Sequence, residues 1–164
     1  MSQPNLQQPN PQQSELTKPR TVALILGISL LFLGLVGFLP GFTFIPGTIS
    51  HPTSVYPDPG YGYIFGIFPT NYFHNAIRIL VGLWGIAACT SLGGAIAFLQ
   101  LFTVIYGAEA LLGLLPFANT LFGTMPLYGG NVGLSLLSAA IAAYYGFVKP
   151  GLLTKGTGLT ANFQ

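Results

Sequence analysis

Residues 65–89 read FGIFPTNYFHNAIRILVGLWGIAAC, and their reading decides the fold. Pro69-Thr70-Asn71 is turn chemistry, and from Tyr72 to Cys89 the chain is apolar except for His74, Asn75 and Arg78. A helix needs about 20 predominantly apolar residues to cross a bilayer core of ~30 Å. The run therefore reads as a membrane span with an arginine inside it, and an ionisable residue in a span marks a functional candidate by default.

The whole chain agrees with that reading. Charged residues make up 5% of its 164 residues, against about 25% in a soluble domain. Apolar residues make up 51%, and mean hydropathy is +0.65. The formal net charge of +2 comes without a basic stripe, which excludes nucleic acid as a partner. The single cysteine, Cys89, cannot form an internal disulfide; it reads as a small buried thiol, with palmitoylation the alternative.

Three further stretches have span length. The four predicted spans are about 21–39, 72–89, 94–115 and 131–148, with Pro and Gly clustered at their ends. The first is too long for the h-region of a cleaved signal peptide, and no small-residue cleavage site follows it. Lys18 and Arg20 precede the first span, Lys149 and Lys155 follow the fourth, and the loops 40–71 and 116–130 hold no Lys or Arg. Excess Lys and Arg stays cytoplasmic, so both termini are expected inside, which an even number of spans satisfies. Residues 1–20, rich in Gln, Asn and Pro, are expected to form a disordered tail, and residues 149–164 a cytoplasmic tail. The outer loop 40–71 interleaves Phe42, Phe44, Tyr56, Tyr61, Tyr63, Phe65 and Phe68 with turn residues. It is expected to form an interfacial aromatic belt, with a lid over an interhelical site as the alternative.

An internal repeat organises the spans. Phe65-Gly66-Ile67-Phe68-Pro69 leads into the second span and Phe122-Gly123-Thr124-Met125-Pro126 into the fourth. Leu33-Gly34-Leu35 recurs as Leu112-Gly113-Leu114 near the end of the third span. The expected fold class is all-α: a four-helix transmembrane bundle made of two tandem two-helix hairpins, related by an axis along the membrane normal. The repeat aligns His74 with Asn131 and Arg78 with Ser135. Ser135, Ala139 and Ala143 then form a small-residue stripe suited to close helix packing.

The candidate site is an intramembrane polar cluster of His74, Asn75, Arg78, Tyr106 and Glu109. His74 and Arg78 are four residues apart and share a helix face. Arg78 and Glu109 each lie about six residues from the outer helix end, roughly 9 Å deep. Tyr106 precedes Glu109 by three residues on the same face. An Arg–carboxylate pair suits a poorly solvated site, and three readings compete for it. The pair locks the hairpins together, or Arg78 snorkels to headgroups, or the cluster binds an ion, a proton or a small polar ligand. Metal ligation lacks a His-x-x-x-His or a cysteine pair, so no metal site is expected. Among cofactors, only a single-ligand pigment at His74 stays open, because the one other histidine, His51, is in the loop. No phosphate loop and no nucleophile elbow are present, and Asp58, the one aspartate, sits in a loop. The chain is therefore not expected to be an enzyme.

The segment Phe65-Gly66-Ile67-Phe68-Pro69-Thr70-Asn71-Tyr72-Phe73-His74-Asn75-Ala76-Ile77-Arg78, followed by Gly82 and Trp84-Gly85-Ile86, resembles the signature of the bacterial membrane family catalogued as domain of unknown function 4383. Gly34-Leu35-Val36-Gly37-Phe38 and Ala142-Ala143-Tyr144-Tyr145-Gly146-Phe147 are similar to its first and last helices, so the resemblance covers nearly all of 21–147. It implies architecture only. In that family a second His is common where Arg78 stands, and another occurs early in the last helix, where this chain has Asn131-Val132-Gly133-Leu134. The departure weakens any paired-histidine cofactor. The expected role is a structural or accessory component of a membrane complex in a bacterial inner or photosynthetic membrane. Its expected partners are the lipid bilayer and other membrane proteins or a second copy. The alternative is a small transporter or channel-like oligomer using His74, Arg78 and Glu109.

Overall fold

A computed structural model describes residues 11–45 and 60–150, with side chains from Leu16 onward. The expected disorder of 1–10, the tail 151–164 with Lys155, and the loop residues His51, Tyr56 and Asp58 lie outside the described residues. The elements run α1 (Pro11–Val36), β1 (Thr43–Phe44), β2 (Gly62–Ile64), β3 (Phe68–Thr70), α2 (Tyr72–Ala88), α3 (Leu92–Leu114) and α4 (Gly130–Ala143). A wider π-helical turn, Tyr144–Val148, continues α4.

Each helix begins where local chemistry can satisfy its free amides. Asn71 caps α2, its side-chain oxygen accepting from His74 N–H at 2.8 Å. Ser91 caps α3, its hydroxyl accepting from Gly94 N–H at 3.0 Å. Both residue types are preferred there because a short side-chain oxygen can reach back to the first turn. Helix α1 starts at Pro11, so residues 11–20, expected to belong to the disordered tail, are helical. Pro fits a first helical position, and Gln, Glu and Leu extend a helix already nucleated by the apolar segment beyond them.

The helices pair as two hairpins, α1 with α2 and α3 with α4, as the repeat predicts. The α1–α2 seam is glycine-lined. A Cβ on Gly27 would lie 2.8 Å from Gly82 O, and one on Gly82 would lie 2.5 Å from Leu31 N. Small residues let backbones approach where lipid offers no hydrophobic drive between helices. The two hairpins meet over Ala23, Leu30, Phe98, Leu99, Ala139 and Ala142. Along α3 the rings of Phe98, Phe102 and Tyr106 succeed one another, with Phe102 and Tyr106 stacked at 4.0 Å. At the opposite end from the sheet, Arg20 Nε donates to Cys89 O at 2.8 Å and ties α1 to the α2 terminus. There too, Gln100 Nε2 donates to the Gly146 carbonyl at 3.0 Å.

Three helical segments are long and apolar enough to cross a membrane: Leu16–Val36, Leu92–Leu114 and Gly130–Val148. Helix α2 has 17 residues, about 25 Å at 1.5 Å per residue, so it is shorter than the core of a typical bilayer. These dimensions associate the chain with a membrane.

The aromatic loop is not purely a belt. Part of it folds as a small antiparallel sheet in the order β1-β2-β3, with Thr43 opposite Ile64 and Gly62 opposite Thr70. Tyr61, Tyr63 and Ile64 are buried, while Phe42, Phe44 and Phe65 face outward. The sheet closes one end of the bundle, because β3 runs directly into α2 and packs beside α4.

Candidate functional site

The polar cluster forms where β3, α2, α3 and the start of α4 converge. Asn71 fixes the register of α2, and from there His74, Asn75, Arg78, Gly82 and Gly85 are its buried face. His74 is 3% exposed and Arg78 2%. A guanidinium this deep must have its donors occupied. Its Nη2 donates to Asn131 Oδ1 at 2.7 Å and its Nη1 to Thr70 Oγ1 at 3.2 Å. Thr70 passes its own proton to Asn75 Oδ1 in a short hydrogen bond.

Asn131 is the hub. Its Nδ2 donates to Pro69 O at 2.7 Å and to Pro126 O at 2.8 Å, while its oxygen receives Arg78. Those two prolines are the equivalent residues of the two repeats. Their carbonyls point inward at matched positions, and one side-chain amide satisfies both. Asn71 reinforces the joint by donating to Thr124 O at 2.8 Å.

The expected Arg78–Glu109 pair is therefore not what forms. Glu109 Oε1 lies 3.4 Å from His74 Nε2, and its Oε2 accepts from Ser135 Oγ at 3.0 Å. Similar depth on two helices does not bring side chains together when the start of α4 stands beside α2 and offers Arg78 a closer acceptor. The cluster thus has two rungs between α2 and α4: Arg78 to Asn131 directly, and His74 to Ser135 through Glu109. Under the repeat these rungs are counterparts, because His74 aligns with Asn131 and Arg78 with Ser135.

All five expected cluster residues are placed together, Asn75 through Thr70 and Tyr106 beside Glu109. Thr70, Asn131 and Ser135 complete the site and were not singled out as members by the sequence. The signal for two of them was present, since Asn131 and Ser135 are the repeat partners of His74 and Arg78. Among the described residues, no three His, Cys, Asp or Glu side chains gather as a metal site requires.

Beside the rungs, between α2 and α3, lies a cavity of about 250 Å³, partly open at its rim. His74, Tyr106 and Glu109 are its polar lining, and Ile77, Leu112 and Met125 are among its apolar walls. Above the bundle, Tyr61 and Tyr128 share a hydrogen bond of 2.6 Å that pins the sheet to the loop before α4. Burial pushes both phenols above their usual pKa, so both stay neutral.

No curated protein and no solved structure shows a match to the chain. The model of the family described as Domain of unknown function (DUF4383) matches residues 20–148, which takes in α1 from Arg20 onward, the other three helices, the sheet and the polar cluster, and the chain belongs to that family.

Proposed function

We propose that the protein is a non-enzymatic structural or accessory component of a membrane complex, held in a bacterial inner or photosynthetic membrane with both termini cytoplasmic. One observation carries the reading: both charges of the cluster are engaged inside the chain. Arg78 is taken up by Thr70 and Asn131, and Glu109 by His74 and Ser135. A conducting or transporting site keeps its charges available to cargo, whereas here they join the two hairpins. The outward helix faces carry Leu80, Leu83, Val104, Leu111, Leu136 and Leu137, all exposed, which suits lipid or an apolar partner. Pull-down from native membranes in mild detergent should recover a stoichiometric membrane partner or a second copy. Recovery of a lone monomer under those conditions overturns the reading.

The cavity favours a second reading, a small transporter or channel-like oligomer using His74, Arg78 and Glu109. It requires water access at Tyr106. A Tyr106→Cys protein that reacts with water-soluble maleimide from neither side of the membrane rules it out. A pigment held by His74 would take either Nδ1, which has no hydrogen-bond partner among the described residues, or Nε2 in place of Glu109, and an absorbance band above the aromatic range in the purified protein would reveal one.

A further inference from the structure

The cavity between α2 and α3 has features that the joining of hairpins does not use. Tyr106 is 6% exposed and lines the cavity. Its ring is fixed by stacking on Phe102, yet no hydrogen bond links its hydroxyl to the protein among the described residues. Buried tyrosine hydroxyls usually find a partner. Glu109 borders the same space, with one oxygen facing His74 and the other receiving Ser135. A carboxylate can accept about four hydrogen bonds, so Glu109 retains acceptor capacity. The remaining walls, Ile77, Val81 and Leu112 among them, are apolar.

We infer that this cavity binds an uncharged amphiphile, with a hydroxyl head between Tyr106 and Glu109 and a single apolar tail along Ile77, Val81 and Leu112. The head must donate to the Glu109 carboxylate and accept from the Tyr106 hydroxyl, and an alcohol does both. Charge selects further. Arg78 and Glu109 already offset each other in the cluster, so a charged head would leave an unbalanced charge in a poorly solvated site. Size selects the tail. The volume of about 250 Å³ lies below the ~300–1,000 Å³ usual for drug-sized ligands, which suits one narrow chain whose end can extend past the rim. The partly open rim lets the molecule enter sideways from the bilayer. This inference stands apart from the accessory-component reading: a partner-binding protein and a lone monomer could each hold the ligand.

The test uses the full chain in lipid nanodiscs and a long-chain alcohol bearing a photoreactive diazirine near its head. Crosslinks mapped by mass spectrometry should fall on α2 and α3 at the cavity, and unlabelled monoacylglycerol should compete. The Tyr106→Phe protein keeps the stacked ring and loses only the hydroxyl. It should label about ten-fold less, the scale of one lost hydrogen bond, with an unchanged thermal midpoint. Leu112→Trp, which fills the cavity, should abolish labelling. Three results would each overturn the proposal: crosslinks spread evenly over lipid-facing residues, equal labelling of Tyr106→Phe, or a diazirine alkylammonium or fatty-acid probe labelling as strongly as the alcohol.

Discussion

The two hairpins share a backbone plan and divide the chemistry between them. Phe65 and Gly66 adopt positive φ of 53° and 73°, and Phe122 and Gly123 adopt 56° and 89°. Gly34 abuts Asn75 on α2, and Gly113 abuts Val132 on α4, positions that the repeat makes equivalent. The side chains diverge on that common frame. The first hairpin supplies His74 and Arg78, and α4 answers with Asn131 and Ser135. Helix α2 starts under an asparagine cap, whereas α4 has Gly129 at its N-cap and no side-chain cap. A duplicated scaffold becomes one asymmetric domain when polar groups on one copy acquire partners on the other.

The sharpest way to break this relation is Asn131→Leu. It strands a buried guanidinium and two carbonyls at once, and should lower unfolding stability in detergent by about 3–5 kcal/mol. A loss below about 1 kcal/mol would mean that Asn131 is not needed to satisfy Arg78 beyond its bond to Thr70. A double-mutant cycle refines the point. Coupling between Arg78→Ala and Asn131→Ala should reach about 1–3 kcal/mol, while Arg78→Ala and Glu109→Ala, which share no direct bond, should couple less.

The shared frame is tested by matched substitutions. An added methyl at Gly34 would lie 2.7 Å from Asn75 O, and one at Gly113 would lie 2.5 Å from Leu127 O. Gly34→Ala and Gly113→Ala should each cost about 1–3 kcal/mol by overpacking, and thermal melts that differ widely would deny the equivalence. Gly66→Ala meets open space, so only its positive φ is at issue, and about 1 kcal/mol is expected. Gly123→Ala should lose at least as much in the same assay.

The smallest effect concerns pH. Burial raises the Tyr61 and Tyr128 phenols above their ordinary value of 10.0. Their contact therefore contributes fully below about pH 10 and is lost as pH rises through the raised values. Ultraviolet titration should show these two phenolates appearing late, and Tyr128→Phe should remove one of them while Tyr61, raised chiefly by burial, stays late. Ionisation of every tyrosine together near pH 10 would contradict the buried contact.

Much of this was legible in the sequence, for identifiable reasons. Hydropathy and Pro-Gly punctuation located the helices, because a bilayer-length apolar run has few alternatives. The Phe-Gly-x-x-Pro repeat announced two hairpins, and the structure adds that both copies turn through the same left-handed pair. Membership of the cluster followed from helical spacing. Its pairing did not, since spacing fixes depth and face but not which neighbouring helix stands nearest. Arg78 was matched to Glu109 on charge, whereas geometry gave it the neutral amide of Asn131. The sheet was hidden because strands of two or three residues carry no periodicity. The early start of α1 was hidden because low hydropathy at 11–20 argues against burial, not against a helix.

Asn131 also sets the order in which the molecule can be completed. Pro69 O and the Arg78 guanidinium belong to the first half of the chain, and their partner arrives only with the last helix. Until a ribosome has delivered α4, the first hairpin would hold a guanidinium with Thr70 as its one acceptor and an open Pro69 carbonyl. A chain truncated before Asn131 would remain in that state, and quality-control proteases that survey the bilayer for exposed polarity would have a ready mark by which to tell an unfinished copy from a finished one.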